Sequence, residues 1–468
     1  MWSTRNEGDE MPGEMPRQLL EEAIRGHNAD YVEVRVEETE STHLTYRGRE
    51  LEEVGRSVDL GGCVRAAYKG GWGFVSFNAL ADLKAKVAQA VRQARLVGQE
   101  RTQLAPVPPA VDVVPLALAR DPFAVPLAEK KRLMDEYVEV AWSRSPKIQT
   151  TNAVYADGRR KITLATSEGT YLEQERARIT ARVVVFARED GNVQQARAAF
   201  TSILDFGAVV GRHAEVAGAA DRAVALLAAQ PVTGGEYTVI CDPKLAAIFA
   251  HEAFGHLSEG DNVYENERLR EIMVLGRRFG RPELNITDGA AIPGQPGSYR
   301  YDDEGTPSRR TSLIKDGVLV GRLHSRETAG KMGEAPTGNA RAQSYRHQPL
   351  VRMTNTAIEA GTSSFEEMLA DTRFGVFCKD WYGGSTTHDQ FGFSCAEAWL
   401  IRDGKLAEPL RGTTLSGNLF TTLQNIDLIG RDFEWIEAGG TCGKNGQAAP
   451  VGNGSPSIRI QQAVVGGK

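Results

Sequence analysis

Apolar and polar positions alternate along much of the first 230 residues, which is the pattern of half-buried β-strands. Two blocks show this alternation, one over residues 31–77 and one over residues 152–203. Each block lies between stretches in which apolar residues recur at helical spacing, over residues 16–25, 80–94, 126–143 and 208–229. We therefore predict a structural unit that occurs twice, each copy consisting of a helix, an antiparallel meander and a second helix. The helices are expected to cover the apolar face of the sheet.

The pattern changes after the turn-rich stretch QPVTGG, and we predict a domain boundary there, between residues 1–231 and 232–468. Beyond it the chain is glycine-rich and strand-like apart from one helix expected over residues 242–258. Two Asp-Gly pairs, in SLIKDGVLV and WLIRDGKLA, are typical of tight hairpins. The predicted class is therefore α+β, with a mostly antiparallel, barrel- or sandwich-like C-terminal domain that carries a single helix.

Composition narrows the classes of function. The 468 residues are 41% hydrophobic and 25% charged, which is typical of a soluble globular protein. A net charge of −6 and the lack of a dense Lys/Arg tract argue against nucleic-acid binding. No eighteen apolar residues run together, and the first residues lack the apolar core of a signal peptide, so a cytoplasmic protein is expected. Five scattered cysteines without a C-x-x-C pair suit a reducing compartment.

The stretch HEAFGH, residues 251–256, resembles the zinc-peptidase signature H-E-x-x-H with one residue added. On a regular helix, five steps of about 100° point the second side chain about 140° away from the first. His251 and His256 could then not face the same ion. Gly255 permits a non-helical backbone, and a π-type turn would bring the two rings together. The alternative is that both are ordinary histidines of a helix that packs in the core.

A catalytic zinc typically has three protein ligands, so a third one is needed. Cys378 and Cys395 occur in apolar, strand-like runs and are expected to be buried, inert thiols. Cys442 lies between glycines on a predicted loop, where a thiolate could approach a metal closely, and it ranks first among the candidates. The acidic turn Asp302-Asp303-Glu304 could also lie near the metal, or it could be a solvated loop. The remaining candidates near the site are His324, His347, His388, Asn339, Arg341 and Tyr345.

Four segments of the second half, in this order, resemble the TldD-type members of the TldD/PmbA family: HEAFGHLSEGD, YDDEGTPSRRTSLIKDGVLVG, PTGNARAQSYRHQPLVRMTNT and GTCGKNGQAAPVGNGSPSIRI. The resemblance implies a zinc-dependent metallopeptidase that acts on short or unfolded peptides. Carried over by motif, His251, His256 and Cys442 would be metal ligands and Glu252 the catalytic base. It also implies a site within a dimer, either a homodimer or a heterodimer with a PmbA-type (TldE) paralogue.

Three functions stay open on the sequence. An active peptidase would need Glu252 for turnover but not for metal binding. A metal-stabilised binding or scaffolding subunit of a peptide-processing complex would need the metal only for its fold. A partner of nucleic acid or of a topoisomerase finds no support in the acidic charge. The intact glutamate beside the spaced histidines favours the first.

Overall fold

The computed structural model describes residues 17–387 and 389–467, so the candidate ligand His388 lies outside the described residues. The fold is mixed α+β, as predicted. The α-helices are α1 Arg17–Ile24, α2 Leu83–Val97, α3 Leu127–Ser143, α4 His213–Ala225, α5 Pro243–Ala250, α6 Gly260–Glu265, α7 Glu267–Ile272, α8 Arg326–Met332, α9 Phe365–Ala370 and α10 Leu419–Gln424. None of the helices in this described part is long and apolar enough to cross a membrane.

The N-terminal half is built on one sheet in which two antiparallel meanders join edge to edge. The strands are β1 Tyr31–Arg47, β2 Glu50–Tyr68, β3 Gly71–Phe77, β4 Val111–Val114, β5 Ile148–Thr166, β6 Tyr171–Glu189 and β7 Asn192–Ser202. Their order is β3-β2-β1-β5-β6, with β4 and β7 both paired to β6. Strand β1 pairs antiparallel with β5 from Glu33↔Thr166 to Arg47↔Asn152. The short strand β4 lies between the helical stretches predicted over residues 80–94 and 126–143 and was not expected.

Helices cover the apolar face of this sheet because alternate strand residues point toward it. Helices α1 and α2 pack on the first meander through a core that includes Leu20, Val34 and Val87. Helices α3 and α4 pack on the second through a core that includes Tyr137 and Val216. The other face of the second meander is turned toward the C-terminal half, and its arginines line the contact between the two halves.

The C-terminal half contains a closed ring of five strands and a second, open sheet. The ring is formed by β9 Gly235–Cys241, β16 Phe374–Thr387, β17 Gln390–Arg402, β19 Thr414–Asn418 and β24 Ile458–Gly466. Strands β8 Gln230–Pro231, β18 Lys405–Arg411 and β20 Ile426–Ile429 extend it. The open sheet has the order β12-β11-β10-β15-β23-β21, with β22 paired to β23; its strands are β10 Ile286–Gly289, β11 Arg310–Lys315, β12 Val318–Leu319, β15 Asn355–Ile358, β21 Glu434–Trp435, β22 Gly440–Lys444 and β23 Gln447–Ser455.

The helices of this half differ from the sequence-based prediction, whereas its hairpins agree with it. The expectation of a single helix is wrong, because α6 to α10 are additional helices of six or seven residues. Such short helices show no full period of apolar positions, although capping boxes at Ser325 and Ser364 mark two of their starts. The two Asp-Gly hairpins are confirmed by the β11–β12 and β17–β18 pairings. A further antiparallel pair is formed by β13 Ala340–Arg341 and β14 Leu350–Val351.

The acidic turn Asp302-Asp303-Glu304 is buried between the two halves, so the solvated-loop interpretation is wrong. Glu304 forms an ion pair with Arg65 of β2 at 2.5 Å, and Asp303 lies 3.4 Å from Arg176 of β6. Burying charged groups is costly unless they are paired, and here Asp303 and Glu304 each meet an arginine from the other half, while Asp302 accepts backbone hydrogen bonds. The turn therefore fixes the N-terminal sheet against the C-terminal sheets.

Candidate metal centre

Helix α5 carries the two histidines at its C-terminal end. The Asp242 carboxylate caps its start by accepting a hydrogen bond from the Leu245 backbone N–H at 2.9 Å, and Pro243 occupies the first turn. Residues 245–250 are all buried, so the helix is held on every side. Burial raises the pKa of Asp242 to about 7, although its two backbone hydrogen bonds act in the opposite direction.

The helix widens where the motif begins. Residues His251–Gly255 form a π-helical turn, in which the backbone N–H of His256 donates to the carbonyl oxygen of His251. A single turn of 3-10 helix, His256–Ser258, follows. The ring centroids of His251 and His256 lie 5.3 Å apart with the planes at 83°. The added residue of the motif is therefore accommodated by a π-type turn.

Gly255 allows this turn to lie against the neighbouring chain. A Cβ atom at this position would overlap the sulfur of Met353, a residue with no exposed surface. Backbone contact this close requires glycine. The turn and the segment that precedes β15 are consequently packed directly against each other.

Cys442 is placed by a two-residue β-hairpin, not by the loop expected from the sequence. It lies on β22, and Asn445 and Gly446 form the turn to β23 with φ angles of 49° and 74°. Two positive φ angles at an Asn-Gly pair identify a tight hairpin turn. The buried guanidinium of Arg352 donates to the carbonyl oxygens of Cys442 and Gln447, one on each strand. The hairpin is thus fixed near its turn.

His251, His256 and Cys442 converge, and one ligand atom from each lies within 4.8 Å of the others. The Sγ atom of Cys442 is 3.2 Å from Nε2 of His256. The Nδ1 atom of His251 is buried and has no hydrogen-bond partner in the described part of the chain. An unpartnered buried ring nitrogen is costly unless a ligand occupies it. Two imidazoles and a thiolate fit a zinc ion with one position left open.

A buried ion pair between Glu259 and Lys444 contacts the Nδ1 side of the His256 ring. Oε2 of Glu259 lies 3.2 Å from Nδ1 of His256 and 3.1 Å from Nζ of Lys444. Burial alone would raise the pKa of Glu259, but Lys444 and His256 outweigh it and lower the pKa to about 2. The ionised carboxylate therefore accepts a proton held on Nδ1, which leaves Nε2 free to ligate a metal. Sequence reasoning missed Glu259, although its spacing of three residues from His256 was a signal.

The Cys442 thiol and the His256 imidazole polarise each other. Burial would raise the pKa of Cys442, but the two histidines outweigh it and lower the pKa to about 5. Burial would likewise lower the pKa of His256, but Cys442 and Glu259 raise it well above its usual range. The sulfur is therefore a thiolate at neutral pH, which is the form that binds a metal.

Glu252 lies on the π-helical turn directly after His251 and is half-buried. Within residues 17–387 and 389–467 its carboxylate has no hydrogen-bond or ion-pair partner. Carboxylates that serve as general bases need at least one oxygen that is free of fixed donors. Glu252 meets this condition, in contrast to the fully paired Glu259.

The other candidates lie elsewhere. His324 contacts Thr328 and Glu334, and Cys378 and Cys395 are buried in the core, as expected for inert thiols. Among the predicted neighbours, Tyr345 contacts Asp59 of β2. The remaining three contact other parts of the chain: His347 bonds Ser344, Asn339 bonds Asp288 and the Arg352 carbonyl, and Arg341 bonds the Met353 carbonyl.

Comparison with protein families covers most of the chain. Residues 32–95 match the PmbA/TldA metallopeptidase domain 1, residues 120–227 the central domain and residues 234–467 the C-terminal domain. The chain belongs to the PmbA/TldD family. The resemblance stated from the sequence is confirmed.

Curated members of this family match along nearly the full chain. A metalloprotease from Synechocystis is 48% identical over 94% of this chain and 95% of its own length. A zinc metalloprotease TldD homolog from Saccharolobus solfataricus is 29% identical over 94% of this chain and 97% of its own. The relatives' names support a metallopeptidase, and one of them names zinc.

Solved structures of this family share the fold. TldE from Thermococcus kodakarensis superposes with a TM-score of 0.68 at 17% identity, covering 94% of this chain and 97% of that one. A protein from Thermotoga maritima, described as a candidate modulator of a DNA gyrase, gives a TM-score of 0.74 at 20% identity, covering 93% and 96%. At these identities the likeness concerns the architecture.

Proposed function

We propose that this chain is a zinc-dependent peptidase in which His251, His256 and Cys442 hold the ion and Glu252 is the general base. The observation that carries this proposal is the convergence of three ligand atoms within 4.8 Å, with Glu252 on the same π-helical turn directly after His251. When bound, zinc supplies a Lewis acid that polarises a carbonyl oxygen and acidifies water.

Side chains of the protein supply the general base and hold the metal ligands in position. Glu252 accepts the proton of the attacking water and returns it to the leaving amine. Glu259 holds the proton on Nδ1 of His256 and so fixes the orientation of that ring, while Lys444 neutralises the buried carboxylate. Arg352, which bonds both strands of the hairpin, keeps the sulfur of Cys442 at its position.

Short or unfolded peptides are the proposed substrates, and the chain is proposed to act as a homodimer or with a PmbA-type (TldE) paralogue. A TldE protein among the solved structures of the same fold supports the second arrangement. Five free, buried cysteines support a reducing, cytoplasmic location. The two proposed domains are residues 1–231 and 232–468; Gln230 and Pro231 already pair with β18 of the second.

The second candidate is a metal-stabilised scaffolding subunit without catalysis. It is favoured by the burial of two of the three metal-binding candidates, His251 and Cys442, among core residues, as in structural zinc sites. In that case chelation would unfold the C-terminal half and Glu252 would be dispensable. A peptidase, by contrast, would keep its fold on chelation of the metal but lose turnover.

The deciding experiment compares wild type with Glu252→Gln, and uses Glu265→Gln, at an exposed site, as the matched control. Zinc per chain is measured by mass spectrometry, and turnover is measured on an unfolded casein digest. We expect Glu252→Gln to retain zinc and lose at least about 100-fold in turnover, as is typical when a general base is removed. Undiminished turnover in Glu252→Gln would remove Glu252 as the general base, whereas a wild type that turns over no peptide and unfolds on chelation would favour the scaffold.

A further inference from the structure

Two adjoining cavities lie between the second meander of the N-terminal sheet and the C-terminal half. The first, of about 370 Å³, and the second, of about 540 Å³, share Gly158 and Arg178 in their walls. We call them together the arginine groove. Arginines dominate the charged side chains of its walls: Arg160, Arg176, Arg178, Arg300 and Arg341 line the first cavity, and Arg178, Arg182 and Arg197 line the second.

Acidic groups in the walls do not balance this charge. The only carboxylates among the lining residues are Glu175 and Asp303, both in the first cavity. Asp303 is already shared, since it lies 3.4 Å from Arg176 and 3.9 Å from Arg35. Beyond the lining, Glu37 pairs with Arg160 and Asp380 lies 3.7 Å from Arg197. Within the described part of the chain, Arg178, Arg182, Arg300 and Arg341 have no carboxylate ion-pair partner, so the groove is locally positive in a chain whose net charge is −6.

Two of these guanidinium groups have a hydrogen-bond donor without an acceptor in the described part of the chain. The Nε atoms of Arg176 and Arg178 are buried and have no hydrogen-bond partner within the described ranges. Burial, and beyond it repulsion from neighbouring arginines, lowers the pKa of Arg176 and of Arg178. Buried donors without acceptors, held among like charges, are stabilised by an anion.

The groove reaches the strand that carries Cys442. Arg178 donates to the Thr441 hydroxyl at 3.1 Å and to the Gly440 carbonyl at 3.3 Å, and Thr441 directly precedes Cys442. Ala449, the cross-strand partner of Cys442, lines the first cavity. A ligand in the groove thus lies beside the hairpin that supplies the sulfur.

Part of the lining of the first cavity is apolar. Val114 ends β4 and Leu116 follows it, and Ile203 and Leu204 follow β7. Apolar side chains of this kind favour an occupant with hydrocarbon side chains over a nucleic-acid backbone. An extended peptide offers both features, apolar side chains and carboxylates.

We propose that the arginine groove binds carboxylates of a peptide substrate, and so selects peptides with acidic side chains or a free C-terminus next to the metal centre. The proposal rests on the proposed peptidase function and adds a substrate class to it. Arginine suits this task because its planar fork donates two parallel hydrogen bonds to one carboxylate.

The test is a binding measurement that needs no turnover. The full chain carrying Glu252→Gln is titrated, by fluorescence anisotropy, into four fluorescein-labelled hexapeptides, before and after zinc is removed by chelation. The peptides carry either two glutamates or two glutamines in an alanine-leucine background, and each has either a free or an amidated C-terminus. We expect at least about tenfold tighter binding of peptides with a carboxylate than of the neutral, amidated one.

Substitutions of groove arginines test whether the groove causes the preference for carboxylates. In Arg178→Gln the preference should fall to about twofold or less, and the same loss is expected in the double variant Arg182→Gln/Arg300→Gln, at two exposed positions that leave the strand of Cys442 untouched. Arg268→Gln, exposed and outside the groove, should keep it. Circular dichroism checks that each variant is folded.

The four peptides separate the two sources of the carboxylate. A preference that follows the free C-terminus assigns the groove to the peptide end, and one that follows the glutamates assigns it to side chains. Equal dissociation constants for all four peptides overturn the proposal, as does a preference that survives in both groove variants. This binding result is independent of the turnover measured on the wild type. Discrimination without wild-type turnover would keep the groove and reject the peptidase, and turnover without discrimination would do the reverse.

Discussion

The backbone N–H of His256 bonds to the carbonyl oxygen of His251, five residues earlier, and not to that of Glu252, four residues earlier. In a regular helix the two rings would diverge by about 140°. The single wider turn brings their centroids to 5.3 Å. One backbone hydrogen bond therefore decides whether this motif can hold an ion.

Gly255→Ala should damage the site through the backbone. The added methyl group overlaps the sulfur of the buried Met353, so either the π-helical turn or Met353 must move. We expect a loss of about 1–3 kcal/mol in the free energy of unfolding, measured by urea denaturation, and weaker zinc binding.

The double variant Gly255→Ala/Met353→Ala relieves the overlap, so a double-mutant cycle should show a favourable coupling energy. Strict additivity of the two substitutions would mean that the contact between the turn and Met353 does not constrain the metal centre.

Cys442→Ala should abolish stoichiometric zinc, because it removes one of three converging ligands. Cys395→Ala is the matched control, since Cys395 is a buried thiol outside the cluster and should leave zinc at the wild-type level. Zinc per chain is measured by mass spectrometry after dialysis. Full zinc occupancy in Cys442→Ala would remove this residue from the ligand set.

Glu259→Gln should weaken zinc binding without removing a ligand. The amide no longer carries the charge that holds the proton on Nδ1 of His256, and it removes one of the two carboxylates that contact Lys444, leaving Asp261. Loss of such a supporting carboxylate typically costs about 10- to 100-fold in metal affinity. Competition with a fluorescent zinc chelator measures the change. Affinity equal to that of Glu265→Gln would show that Glu259 has only a packing role.

Asp242→Asn should change how stability depends on pH. The folded-state pKa of Asp242 is about 7, whereas an unfolded aspartate titrates near about 3.9. At pH values between these two pKa values, Asp242 is ionised in the unfolded chain but protonated in the folded protein. The wild type therefore loses stability as pH rises from about 4 to about 7. Asparagine keeps the helix cap but cannot ionise.

Urea unfolding at pH 5 and pH 8 tests this expectation. The stability of Asp242→Asn relative to wild type should increase at the higher pH, by an amount on the order of 1–3 kcal/mol. Asp190→Asn, at an exposed turn, should run parallel to wild type at both values. An Asp242→Asn curve that also runs parallel to wild type would show that Asp242 is already ionised in the folded protein at pH 5.

The acidic turn shows where sequence reasoning could not succeed. Three adjacent acids in a glycine-containing stretch have the composition of a surface loop. Asp303 and Glu304 are nevertheless buried, because Arg65 and Arg176 reach them from strands more than a hundred residues earlier. Glu259 was missed for a similar reason, since its partner Lys444 comes from a distant hairpin.

The sequence by itself determined the local structure and the chemistry of the chain. The alternation of apolar and polar residues predicted the strands of the N-terminal sheet, and the Asp-Gly pairs predicted two hairpins. Asp242 and Pro243 predicted the start of α5, and the sequence motifs indicated the family. These features depend on near neighbours, whose spacing fixes them. Only the tertiary structure decided that a five-residue spacing becomes a π-helical turn against Met353 and that Cys442 meets the rings from a strand. Those outcomes depend on packing between segments far apart in the chain, which spacing along the chain does not encode.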